Sequence, residues 1–142
     1  MIAQPKLAAL AVVPHDRKLL LVRRRNEPDA GLWGFPGGHV DLGETGLDAA
    51  VRELREETSI VAEPVDYLTN IDIIIKDNDQ CIAHHFLLVV VLCKYRSGQP
   101  IAQDDASEAS WFDFDSVLNC ELPMSKDVDT VLRAAMRRIT DS

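Results

Sequence analysis

Apolar and polar positions along this chain fall into short segments with the periods of strands and helices. Residues 6–13 (KLAALAVV) and 18–24 (KLLLVRR) predict two strands, and Pro14-His15-Asp16-Arg17 between them supplies turn chemistry for a hairpin. A Gly/Pro-punctuated loop follows, NEPDAGLWGFPGG at 26–38. Residues 45–58 (TGLDAAVRELREET) predict a helix, with Pro64 marking a boundary soon after it. Two longer β-rich stretches, 65–76 and 81–95, are joined by the hairpin loop KDNDQ, and RSGQP closes the second. A short strand then holds Trp111, Phe112 and Phe114. Ser125 fits a helix N-cap, and Val128, Val131, Leu132, Ala135, Met136 and Ile139 recur beyond it at helical spacing. Strands outnumber helices. The expectation is an α/β or α+β sandwich, one domain over residues 1–142, with two helices flanking a mainly antiparallel or mixed sheet.

Composition narrows the class. Of 142 residues, 46% are apolar and 27% charged, as in a globular protein with room for a core. No apolar run nears the ~20 residues of a membrane span. The opening MIAQPKLAALAVVPHDRK reads as a first strand and not a signal peptide, because Lys6 is its only early cation and no cleavage pattern precedes PHDRK. Cys81, Cys93 and Cys120 lack metal-ligand spacing and read as reduced thiols, which places the chain in the cytoplasm. A formal charge of −8 argues against stable nucleic-acid binding. An anionic substrate would therefore need a cation or clustered arginines. His84 and His85 show no zinc pattern; packing accounts for them, and a hydrogen bond to substrate is the alternative. Arg133, Arg137 and Arg138 complement the dipole of the last helix, with phosphate binding as their alternative.

One feature resists the bland reading. GGHVDLGETGLDAAVRELREETSI, 37–60, sets Glu53, Glu56 and Glu57 within five positions. At about 100° per residue, Glu57 falls roughly 40° from Glu53 and Glu56 roughly 60° to its other side. Leu47, Val51, Leu54 and Thr58 form a separate apolar stripe, while Ala49 keeps the acidic stripe low. Like charges at this spacing cost a few tenths of a kcal/mol per pair. A solvated acidic face is therefore affordable, and a divalent cation would reverse the sign of the interaction.

The flanks point further. From Gly38 come five residues, Glu44, seven residues, Arg52-Glu53-Leu54, one residue, Glu56-Glu57, one residue, then Ser59-Ile60. This closely resembles the signature box of the Nudix hydrolases, here 38–60, a loop–helix–loop that binds divalent metal and cleaves pyrophosphate bonds. One position departs: the family normally has Gly where Ser59 stands. The resemblance implies an α/β/α sandwich with a central mixed β-sheet flanked by helices. It implies Mg2+ or Mn2+ as cofactor, with Glu53 and Glu57 as central ligands. Glu56 becomes a further ligand or a base, and a carbonyl near Gly37 or Gly38 completes the shell. Arg52 orients the carboxylates, paired with Glu44. Some relatives use a carboxylate far downstream as base, which nominates Asp105 and Glu108 in DDASEASW; a solvated loop is the other reading.

The box does not choose the substrate. GLWGFPGGHVDLGE and HHFLLVVVLCKYRSGQP resemble bacterial Nudix proteins of the ADP-ribose pyrophosphatase type. The implied reaction takes a small nucleotide, ADP-ribose, to AMP and ribose 5-phosphate; the alternatives are a nucleoside triphosphate substrate and a non-catalytic nucleotide sensor. Trp33 and Phe35 can stack on a base or simply pack the loop. Strand alternation places Arg23 and Arg25 on one face, as a phosphate clamp or a solvated strand end. Many relatives form homodimers.

Overall fold

The computed structural model describes residues 4–141. Two four-stranded sheets make its centre. The first has the order β5-β1-β7-β6, built from β1 (Lys6–Val12), β5 (Gly37–His39), β6 (Val61–Lys76) and β7 (Ile82–Ser97). It is mixed: β1 runs parallel to β7, while β5 and β6 pair antiparallel with their neighbours. The second is antiparallel around β3 (Lys18–Arg24). There β8 (Ala106–Asp113) lines one edge, and β2 (Pro14–His15) and β4 (Trp33–Gly34) share the other.

Apolar runs such as LLL and VVLC are buried on both sides, as central strands require. Leu20, Val91 and Cys93 pack in a cluster with Ala49, Ala50 and Leu54 of α1 (Gly46–Thr58). Leu19, Leu21, Val90 and Leu92 pack oppositely, with Phe114 and Val117 of α2 (Phe114–Leu118) and Val131, Leu132 and Ala135 of α3 (Val128–Asp141). Helices therefore cover both faces of a central mixed sheet, the expected α/β/α sandwich. No helix among the described residues is long and apolar enough to cross a membrane.

Several local expectations are corrected. The first two long strands are not hairpin partners: β1 stays in the first sheet, Pro14 cannot donate to its ladder, and β2 then pairs with β3 in the second. The tight turn is Asp16-Arg17, both left-handed at φ 51° and 59°, as a two-residue hairpin loop requires. Pro64 ends nothing; it sits within edge strand β6 at a register shift, where no ladder donor is needed. Phe114 opens α2, a helix of five residues too short to show a period. Ser125 is no N-cap: α3 begins at Val128, and the Ser125 N–H bonds the Trp33 carbonyl. Arg133 and Arg138 are ion-paired with Asp129 and Asp66, at 3.0 and 3.1 Å. All three cysteines are free thiols, and burial pushes Cys93 up to about 12.

Candidate functional site

The site forms where α1 crosses edge strand β5. Thr45 caps the helix by accepting the Asp48 N–H at 3.0 Å. Backbone leaves no room for a side chain at Gly37, and a side chain at Gly38 would displace the Glu53 carboxylate. A Cβ on Gly37 would lie 2.1 Å from the Ala9 carbonyl oxygen, and one on Gly38 would lie 2.5 Å from the Glu53 carboxyl carbon. Gly38 is thus the floor against which Glu53 rests.

Arg52 organises the acidic side chains. Its Nε and Nη2 donate to the two oxygens of Glu44 at 2.8 and 2.9 Å, a bidentate fork. Nη1 reaches Glu53 at 3.0 Å and Glu56 at 3.2 Å, and Nη2 also bonds the His39 carbonyl at 2.9 Å. The Arg52 guanidinium and the Asp41 N–H hold the Glu44 carboxyl down at about 2. Glu53 lies above the ordinary carboxylate range because burial outweighs Arg52.

Glu57 is the extreme case. It is 7% exposed, and burial, then the Glu53 charge, push it up to about 8; the Gly37 N–H bonded to it and the Arg24 charge oppose the rise. Asp105 adds a further negative charge. That loop is fastened to the end of α1, where Gln103 N–H bonds the Glu57 carbonyl and Ile101 N–H the Thr58 carbonyl. Ala49 is not an open floor for a ligand, since it is fully buried against the sheet.

Among the described residues no three His, Cys, Asp or Glu side chains converge into a metal cage. A hard cation of the Mg2+ kind needs less: one or two carboxylates, with water and substrate phosphate completing the shell. Glu53 and Glu57 offer such a pair, on a cradle that any Cβ at Gly38 would fill. The donor set fits. Glu56, its side chain 48% exposed, is turned toward Arg52.

The remaining candidates divide. Asp105 adds a minor charge contribution at Glu57, and its side chain accepts from Asn26 at 3.2 Å. Glu108 faces Arg23 across the β3–β8 ladder at 3.7 Å. Arg23 also donates to the Gly31 carbonyl and Arg25 to that of Ala106. Arg25 lies just beyond β3, which ends at Arg24, and the register of β3 with β8 shifts between Arg23 and Arg24. Arg24, set aside by that reasoning, is the arginine whose charge reaches Glu57. Trp33 and Phe35 are corrected to core residues, 9% and 8% exposed, with Trp33 edge-on to Phe112. Their rings offer no free face for stacking.

Ser59, the departure from the box, ends α1 in the left-handed region at φ 66°. Its hydroxyl accepts from Gln103 Nε2 at 2.9 Å, a pairing without a sequence signal. Restoring glycine by Ser59→Gly is expected to stabilise the fold by about 1 kcal/mol in chemical denaturation, with turnover unchanged. A loss of stability would show that the Gln103 bond outweighs the backbone cost.

Fold and site together define a class: a mixed-sheet sandwich that sets a carboxylate-rich helix against a diglycine edge strand. The family model of the NUDIX domain matches residues 4–138, and the chain belongs to the Nudix family of hydrolases acting on pyrophosphate bonds. It is 30% identical to an ADP-ribose pyrophosphatase of Methanocaldococcus jannaschii over 129 residues, 91% of this chain and 74% of that protein. Among solved structures it resembles a MutT NUDIX hydrolase from Burkholderia pseudomallei, with a TM-score of 0.78 and 29% identity over 92% of this chain and 98% of the other. It also resembles the NUDIX domain of Shewanella oneidensis NrtR complexed with ADP ribose, with a TM-score of 0.78 and 26% identity over 97% and 90%.

Proposed function

We propose that this chain hydrolyses the pyrophosphate bond of ADP-ribose, giving AMP and ribose 5-phosphate. The observation that carries the class of reaction is the buried Glu57 carboxyl beside Glu53, in a chain that already bears excess negative charge. Such a pair suits a divalent cation, Mg2+ or Mn2+, shared with a substrate phosphate. The choice of ADP-ribose is supported by the name of the M. jannaschii relative and by the ligand of the S. oneidensis domain.

Glu53 and Glu57 would hold the cation, and Arg52 would keep Glu53 aimed at it. The cation supplies neutralisation of the pyrophosphate and activation of water. Water oxygen bonds to one phosphorus, the bridging P–O bond breaks, and the water proton passes to a base. Asp105 is favoured for that base over Glu108, because its charge acts on Glu57 while Glu108 is engaged by Arg23. No protein nucleophile takes part.

The test is product analysis with ADP-ribose, NADH, diadenosine polyphosphates and nucleoside triphosphates, each with Mg2+, Mn2+ or chelator. The expected result is metal-dependent release of AMP and ribose 5-phosphate, at a kcat/KM well above the rest of the panel. Preferential release of pyrophosphate from a triphosphate would keep the reaction class and replace the substrate.

A further inference from the structure

The outer edge of the first sheet is β6, a strand of 16 residues with no strand beyond it among the described residues. Sheet edges of soluble proteins are ordinarily short, charged, bulged or covered, because a bare edge recruits another chain. β6 is guarded along one half only. Pro64 and the register shifts up to Thr69 interrupt its ladder near the start, while 69–75 pair with β7 without a break. Among the described residues β1 reaches β7 only as far as Phe86. Residues 74–76 and 82–85 therefore project past the sheet as a two-stranded ribbon, which is marginal without further packing. Large apolar side chains also collect on this edge. Val61, Val65, Tyr67, Ile74 and Ile82 are each between 39% and 54% exposed.

The two ends of the edge are complementary. At the Val61 end, β6 and α1 border a groove of about 440 Å3 with Val51, Val61 and Ala62 as its apolar lining. Its rim carries Asp48, the Arg52–Glu56 pair, and Arg55. No carboxylate pairs with the Arg55 guanidinium among the described residues, since Arg52 takes Glu53 and Glu56. At the hairpin end stands Ile74. Its partner His85 alternates with Val89 and Val91, which pack beneath α1, so Ile74 lies on the α1 side of the sheet. Beyond it the exposed loop carries Asp77 and Asp79. An apolar groove with a spare cation thus sits at one end of the strand, and an apolar ribbon with spare carboxylates at the other.

We propose that this edge is a two-fold dimer interface, in which the β6–β7 hairpin end of each copy seats in the α1–β6 groove of the other. A two-fold axis through the middle of β6, normal to the sheet, sets the two edges antiparallel and keeps both α1 sides together. Ile74 then meets Val51, Val61 and Ala62, and the carboxylates of the loop meet Arg55. Each contact occurs twice, as an isologous interface requires. The inference does not depend on the proposed reaction.

Sedimentation of the full chain is expected to show a dimer. Ile74→Glu places a charge at an exposed position, so it should keep the fold and raise the dimer Kd at least about tenfold. Arg55→Glu and Asp79→Arg should each weaken the dimer about tenfold, because like charges then face one another twice. An equimolar mixture of those two variants should dimerise as the parent does, since each contact is again between opposite charges. The interface is overturned if the parent is monomeric at about 0.1 mM, where interfaces of ordinary size are formed. It is overturned equally by a dimer that survives Ile74→Glu, or by a mixture no tighter than its two components. Should Ile74→Glu fail to fold, the mixture decides alone.

Discussion

Replacing Glu57 by Gln is expected to cut turnover by at least about 100-fold, roughly 2.7 kcal/mol of barrier, while making the metal-free protein more stable at alkaline pH. Both effects come from one buried carboxylate. Its folded value of about 8 stands above the ordinary 4.5, chiefly through burial and then the charge of Glu53. The folded state therefore binds the proton more tightly than the unfolded chain does. Stability in chelator is full below about pH 4.5, falls as pH rises, and levels off above about 8. The ceiling on that loss is about 5 kcal/mol at 1.36 kcal/mol per unit. Glutamine keeps an oxygen for the Gly37 N–H and carries no charge, so the variant should show no such decline. Denaturation in chelator at pH 5 and pH 9 measures it: similar stabilities at the lower pH, a gain of a few kcal/mol for Glu57→Gln at the higher. Added Mg2+ should raise the melting temperature of the parent and not of the variant. Turnover within about threefold of the parent would remove Glu57 from the site.

How much of this was legible beforehand divides along physical lines. Helix α1 was readable because periodicity and the spacing of Glu44, Arg52, Glu53, Glu56 and Glu57 all lie within one short segment. The fork of Arg52 onto Glu44 is the form that the expected pairing takes. Long-range placement was not readable. Alternation along a strand holds only while the strand stays regular, and the register of β3 with β8 shifts between Arg23 and Arg24, at the end of the strand. Trp33 and Phe35 lie in a Gly/Pro-rich loop, which reads as surface until β4 pairs with β3 and draws them into the core. The sheet switch at Pro14 and the fastening of the 101–105 loop to α1 depend on backbone partners distant in the chain. No local pattern encodes them.

The second large effect is expected at Arg52, and it separates positioning from binding. Arg52→Met removes the guanidinium hydrogen bonds to Glu44, Glu53 and Glu56, leaves the Asp41 N–H on Glu44, and keeps all three carboxylates in place. Loss of such an orienting partner typically costs about 10–100-fold in activity or metal affinity, and kcat should fall by that amount. KM for substrate at saturating metal should hold, because the guanidinium faces carboxylates and a backbone carbonyl. Arg52→Lys restores the charge without the planar fork and should recover only part of the loss. The pH dependence supplies a check independent of turnover. Arg52 depresses Glu44 to about 2, so its stabilising contribution is present above about pH 4.5 and is lost as pH falls through about 2. The parent should therefore lose stability across that acid window, and Arg52→Met should show less of that loss. A rise in KM with kcat preserved would instead place Arg52 on the substrate, and the acidic helix would then have lost the cation that orders it.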